Sequence, residues 1–299
     1  MTGARTRRID GSEPPASLPA ERGQGCCVPL GGTIRPLMRG MLAAPSTSTD
    51  TAHMRSALRD EPVSVLDRIL AILDTVRESH GSTTITQLAL ATGIPKSTVS
   101  RLVGDLIRQR YLTRTDEGVM IGLRLFELGA RASTPRRLSV AALPVLAELF
   151  NATGEHLNVA VQEGRDMLSV ISVRGRLRPV PSRAGVRVPS ATTALGKAVL
   201  AFTHDEALLG RVITGLDSSR RHTFEKELAA VRTEAVAIDR CETFPGVVGV
   251  ASPVLSPERL PVAAISVAGP VTDMDPNRIA PLVRHAALAL THRLALQVA

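Results

Sequence analysis

The chain holds three cysteines, and none is placed for the chemistry cysteine usually brings. Cys26 and Cys27 are adjacent and Cys241 stands alone. No CxxC pair offers a zinc ligand set, so no metal is expected, and no disulfide framework is suggested. Long apolar runs are missing too: none approaches the roughly 18 residues a membrane span needs. The start, MTGARTRRIDG, has basic residues but no apolar stretch behind them, so it does not read as a secretory signal, and a cytoplasmic protein is expected by default. Catalytic signatures are also absent, with neither a G-x-S-x-G elbow nor an H-E-x-x-H pair. In the C-terminal half Cys241 is the one plausible nucleophile and His222 the nearest histidine, and no motif joins them. The expectation is a protein that is not an enzyme and needs no cofactor.

One segment resembles a nucleotide site and fails on inspection. In VPSATTALGKAVLAF, Gly196 and Lys197 match the end of G-x-x-x-x-G-K-[ST], but Ala191 replaces the first glycine and Ala198 the metal-binding hydroxyl. Nucleotide hydrolysis is therefore not expected. Lys197 is read as structural, holding carbonyl groups or solvated.

Charge is informative through its placement. The net charge of +8 suggests an anionic partner only weakly, because lysine occurs only at Lys96, Lys197 and Lys226, and an arginine bias with abundant Ala, Val and Gly is also what genome composition alone produces. Residues 1–60 are rich in Gly, Pro, Ser and Thr without a lasting apolar period. They read as a disordered leader, or as sequence ahead of a later start at Met38, Met41 or Met54.

Periodic order begins with PVSVLDRILAILDTVRESHG, where Val65, Leu66, Ile69, Leu70, Leu73 and Val76 repeat at helical spacing. Thr84 and Gln87 then have capping-box spacing, Gly93 permits a tight turn, and Pro95 suits the first position of a new helix. In that helix Val99, Leu102, Val103 and Leu106 form one apolar stripe. Ser97, Arg101 and Arg108 lie opposite, with Gly104 between them. Two short helices joined at a glycine turn describe a helix-turn-helix, whose second helix buries one face and offers the other to a DNA groove. YLTRTDEGVMIG follows as strand, Asp-Glu-Gly turn and strand, the pattern of a wing. Between Lys96 and Arg114 the one acid is Asp105, so local charge favours phosphate contact. The candidate DNA-binding residues are Lys96, Ser97, Thr98, Ser100, Arg101, Arg108 and Arg114. A helical protein-interaction module with a solvated polar face is the alternative, and the near-balanced charge over 55–122 speaks for it.

Residues 123–135 read as a linker helix with Leu123, Phe126 and Leu128 among its apolar contacts, and RRLSVAALPVLAELFNATG as a helix ending at Gly154. EHLNVAVQEG and DMLSVISVRG are alternating strands about a Gly164-Arg165 turn. DEALLGRVI and FEKELAAVRTEAVAID read as helices, GVVGVASPVL and LPVAAISVAGP as strands, and PNRIAPLVRHAALALTHRLALQ as a terminal amphipathic helix. The fold class is α+β: a winged helix over 61–122, the linker over 123–135, and a sheet domain with helices on one side over 136–299.

From SVLDRILAIL, TGIPKSTVSRLVGDLIRQRYL, IGLRLFELG, PSATTALGKAVLA, ELAAVRTEAVAIDRCE and GVVGVASPV…LPVAAISVAGP, in that order, the chain resembles the IclR family of bacterial transcriptional regulators. The resemblance runs from about Val63 to the C-terminus. It implies a winged-helix DNA-binding domain, a linker helix used in dimerisation and a GAF-like effector domain: a homodimer, or dimer of dimers, on double-stranded operator DNA. It also implies that TALGKA lines a small-molecule pocket, with Leu177, Ala194, Leu195, Gly196, Asp239, Val247, Gly249 and Ser266 facing the ligand. Asp239 and Ser266 would be its polar anchors; a helix-end or turn carboxylate and a hydroxyl satisfied within its strand are the structural alternatives. The family often reads P-L-H-A-T before A-L-G-K, where this chain has Ser190, Ala191 and Thr192. Gly249 stands where cysteine is frequent, and Ala268 where a serine occurs. Smaller side chains enlarge a pocket, so the expected effector is a small organic molecule larger or more apolar than a two- or three-carbon acid: a carboxylic acid or an aromatic metabolite. The functional expectation is an effector-responsive transcription factor, with an enzyme or a pure ligand sensor as the alternatives.

Overall fold

The computed structural model describes residues 64–79, 81–176 and 183–297. The leader over 1–60 and Leu177 lie outside them. Helix α1 (Val65–Glu78) starts at Ser64, whose hydroxyl caps the Asp67 amide while the Asp67 carboxylate returns to the Ser64 amide. The same reciprocal box, Thr84 with Gln87, starts α2 (Ile85–Thr92), which Gly93 ends in the left-handed region at φ 69°. Helix α3 (Lys96–Arg108) follows at once. Pro95 stands just before its first residue rather than in it.

The apolar stripe of α3 is the floor of this first core, with Val99, Leu102, Val103 and Leu106 all buried beside Ile72, Val76 and Leu88. The first helix departs from expectation. Ile69, Leu73 and Val76 pack inward with Ile72, but Val65, Leu66 and Leu70 are between about half and two-thirds exposed. Three helices meet over a narrow stripe, so a wide apolar arc on α1 leaves one edge facing out. Strands β1 (Leu112–Thr115) and β2 (Gly118–Ile121) pair antiparallel and close on the Asp116-Glu117 turn. Val119 exchanges main-chain hydrogen bonds with Thr83, tying the wing back to the start of α2.

Helix α4 (Leu123–Gly129) has no buried residue. Leu123 and Phe126 are each about three-quarters exposed and Leu128 about half. Among the described residues they find little of the apolar cover expected of them. Helix α5 (Ser133–Thr153) begins four residues on and ends at Gly154 in the left-handed region, as its sequence suggests.

The second domain is a six-stranded antiparallel sheet in the order β5-β4-β3-β8-β7-β6. Its strands are β3 (His156–Glu163), β4 (Asp166–Val173), β5 (Arg187–Pro189), β6 (Ala237–Arg240), β7 (Val247–Leu255) and β8 (Pro261–Pro270). Helices cover both faces rather than one. Alternation explains why: Val248, Val250, Ile265 and Val267 pack against α5 and α9 (Pro276–Leu296). Ala251, Ala264, Ala160 and Ala237 face the other way, onto α6 (Ala194–Leu200), α7 (Glu206–Ile213) and α8 (Ser218–Glu234). Alanine on that second face lets α6 lie close, and every residue of α6 is buried. The run FEKELAAVRTEAVAID is not one helix either. Ala235 adopts φ 53°, stops α8 at Glu234, and frees 237–240 to pair with β7.

Candidate nucleic-acid interface and ligand site

On α3 the buried stripe turns Lys96, Ser97, Ser100, Arg101 and Arg108 outward, with Thr98 half-exposed at the first turn. Arg114 projects, exposed, from β1. Helix start, outer face and wing thus carry all seven expected positions at the surface. What the periodicity did not reveal is the state of the two arginines. Asp105 lies between them, 3.9 Å from the Arg101 guanidinium and in contact with that of Arg108. Exposed pairs of this kind are worth at most about 1 kcal/mol, so either arginine can leave Asp105 for a phosphate or a base.

In the second domain, register assembles the other candidate residues. Asp239 on β6 is opposite Gly249 on β7, and Gly249 is opposite Ala268 on β8. A Cβ built on Gly249 would lie 3.6 Å from the Cβ atoms of both Asp239 and Ala194, so these three close on one point. Ser266 lies across from Ala251, on the same side of the sheet. Val247 shares the face of Gly249 by alternation, and Leu195 is buried within α6.

Gly196 behaves differently. A Cβ there would fall 2.1 Å from the Ser190 carbonyl oxygen, so the missing side chain admits the neighbouring main chain. The replaced residues before α6 are satisfied internally as well. Ser190 lies 2.8 Å from the Gln162 amide nitrogen, which donates to it, and Thr192 accepts from the Thr243 hydroxyl at 3.0 Å.

Four further polar side chains join the α6 face, all missed by reading motifs alone. His156 and Asn158 pair in register with Ala268 and Ser266. Ser169 donates to the Asn158 side chain, and the Ser172 hydroxyl lies 3.2 Å from His156 Nε2. The signal was present in HLNVAV: on a strand, His156, Asn158 and Ala160 face one way and Leu157, Val159 and Val161 the other. Burial, with help from Arg174, lowers the His156 pKa and favours neutral imidazole. Asp239 sits in a strand rather than at a helix end, and accepts from the Glu242 amide at 2.8 Å. Burial pushes its pKa above the ordinary carboxylate range.

Lys197, read as holding carbonyls or solvated, is buried and holds more than a carbonyl. Its ammonium donates to Ile238 O at 3.3 Å, touches the Glu242 carboxylate and lies 2.9 Å from Glu227. Arg220 binds the same two carboxylates and stacks on Phe224, with its guanidinium carbon 5.8 Å from the ring centre. Two cations and two anions thus lock α6, α8 and the turn after β6 together.

Comparison with known proteins agrees with both halves. Residues 65–116 match the IclR helix-turn-helix domain, and residues 132–292 match the bacterial transcriptional regulator IclR C-terminal domain. The chain belongs to the IclR family of bacterial transcriptional regulators. Like other members, this IclR-family protein is a DNA-binding regulator with an N-terminal helix-turn-helix and a C-terminal effector-binding domain. It is 28% identical over 258 residues to the transcriptional repressor IclR of Escherichia coli strain K12, covering 82% of this chain and 90% of that protein. It is 28% identical over 261 residues to the acetate operon repressor of Salmonella typhimurium, covering 83% and 91%. An IclR homolog from Microbacterium hydrocarbonoxydans, solved in complex with 4-hydroxybenzoate, superposes with a TM-score of 0.71 at 23% identity, covering 78% of this chain and all of that one. The Thermotoga maritima IclR structure gives 0.63 at 22% identity, covering 77% and 98%.

Proposed function

We propose that this regulator binds a palindromic operator as a homodimer, or a dimer of dimers, and releases or reshapes that contact when a small organic acid or aromatic metabolite enters the α6 face of its sheet. The observation that carries the DNA half is α3: one face buried to the last residue of its stripe, the other bearing Lys96, Ser97, Ser100, Arg101 and Arg108. Arg101 is positioned to read a guanine edge in the major groove, and Arg108 and Arg114 to hold phosphates. Dimerisation is supported by apolar side chains left largely uncovered among the described residues: Leu123 and Phe126 on α4, and Val65, Leu66 and Leu70 on α1.

For the ligand, Ala194, Leu195, Val247 and Gly249 supply the walls, with Leu177 a further candidate from the family resemblance, while Gly196 serves by letting α6 pack against the Ser190 main chain. Asp239 and Ser266 are its anchors, joined by His156 and Asn158. The C-terminal domain binds its effector rather than transforming it, and the protein works in the cytoplasm, where operator DNA is. Gel-shift titration against DNA upstream of its own gene and its neighbours, with and without 4-hydroxybenzoate and short aliphatic acids, is the direct test. Operator binding that no fragment supports would refute the DNA half. Binding that no effector candidate alters, with Leu195→Trp equally inert, would refute the site.

A further inference from the structure

Among the described residues, nothing requires Gly104 to be glycine. It lies in the middle of α3, outside the left-handed region, where glycine is the poorest helix former after proline. A Cβ built on it would meet nothing within 4 Å, in contrast to Gly196. On a helical wheel Ser97, Arg101, Gly104 and Arg108 fall together, directly opposite the centre of the buried stripe. Arg101 is one turn before Gly104 and Arg108 one turn after it, and Asp105 contacts both guanidinium groups in the unbound protein. The outer face of α3 therefore has one partly exposed position without a side chain, with a cation one turn to either side.

This glycine costs helix stability and returns nothing through packing among the described residues. Room for something outside remains as its use, and the flanking arginines give the partner's chemistry as polyanionic. A helix with its side chains is about 10–12 Å across, and the major groove of B-DNA about 12 Å wide. In a fit that tight, the side chain at the centre of the outer face sets how deep the helix sits.

We infer that Gly104 is the point of closest approach between α3 and DNA, a positioning residue whose missing side chain lets the arginines on either side reach base edges and phosphates at once. The inference rests on α3 being the recognition helix.

The test uses the full-length protein with Gly104→Ala, Gly104→Leu, Gly210→Ala and Arg101→Ala, measuring thermal midpoint and affinity for operator and random DNA. Gly210 is the control: it also lies inside a helix, α7, and a Cβ there also meets nothing within 4 Å. Relief of the glycine penalty should raise the midpoint in both Gly→Ala variants. Gly104→Ala should nonetheless bind operator roughly fivefold more weakly or worse, Gly104→Leu more weakly still, and Gly210→Ala like wild type. Loss on operator alone indicates approach to base edges, and equal loss on random DNA approach to the sugar-phosphate backbone; both support the inference. A stabilised Gly104→Ala with wild-type affinity, while Arg101→Ala is impaired, overturns it and spares the recognition helix. Wild-type binding by Gly104→Leu and Arg101→Ala alike overturns both. Gly104→Ala that loses stability along with affinity assigns the glycine to folding and also overturns the inference.

Discussion

Replacing Lys197 by methionine keeps most of the side chain's volume and removes its charge. In the native protein that ammonium is almost fully buried among Ile238 O, Glu227 and Glu242. Without it, two carboxylates about a third and a quarter exposed share Arg220 alone, and a buried carbonyl loses its donor. Removing one member of a buried pair costs about 3–5 kcal/mol, and partial exposure of the glutamates puts this case near the lower end, about 3 kcal/mol. For a domain of this size that is a fall in thermal midpoint of roughly 6–12 °C. Acid should separate the variants further. Burial by itself would raise the Glu227 pKa, but hydrogen bonds from Arg220 and Lys197 outweigh it and hold the pKa below its ordinary value. A lowered carboxylate pKa contributes stability above the unfolded value, and that contribution is lost as pH falls through the folded one. Lys197→Met should lose part of this acid-dependent contribution, so its deficit should shrink as the pH is lowered into the carboxylate range. Circular dichroism melts from pH 4 to 8, with Lys197→Met/Glu227→Gln as a second arm, measure both effects. A single mutant within about 1 kcal/mol of wild type, or a double mutant no more stable than the single, would refute the account of Lys197 as the centre of a coupled cluster.

Arg101→Ala should weaken operator binding by about 1–3 kcal/mol and relax preference at one symmetric pair of positions, whereas Arg108→Ala should weaken all DNAs alike and flatten the salt dependence; affinities at two salt concentrations distinguish them. Asp239→Asn keeps an acceptor for the Glu242 amide. Because burial raises the Asp239 pKa, its ionised form costs stability that grows as pH rises from the unfolded value through the folded one, so Asp239→Asn should be no less stable than wild type at pH 7 while the effector response changes; paired melts and gel shifts check both. If α4 seals the proposed dimer, Phe126→Glu should leave each winged helix folded but shift the protein toward monomer and weaken operator binding, as read by sedimentation and gel shift.

Local periodicity settled much of this protein. The α3 stripe, the Thr84–Gln87 capping box, the wing turn and the strands of β3, β4, β7 and β8 arise from residues within a few positions of each other, so they can be read without knowing what packs where. The outer face of α3 came with its stripe, because a helix that buries one side must show the other. Tertiary structure decided the rest. Whether Val65, Leu66 and Leu70 are covered depends on how wide a stripe three short helices can share. Ala235 ends a run that looks helical through Asp239, because four residues of β6 gain more by pairing with β7 than by extending α8. Lys197 needed partners 30 and 45 residues away, at Glu227 and Glu242, before its burial could be tolerated. His156 and Asn158 became part of the candidate pocket because the sheet's antiparallel register sets them beside Ala268 and Ser266, more than a hundred residues on in the chain.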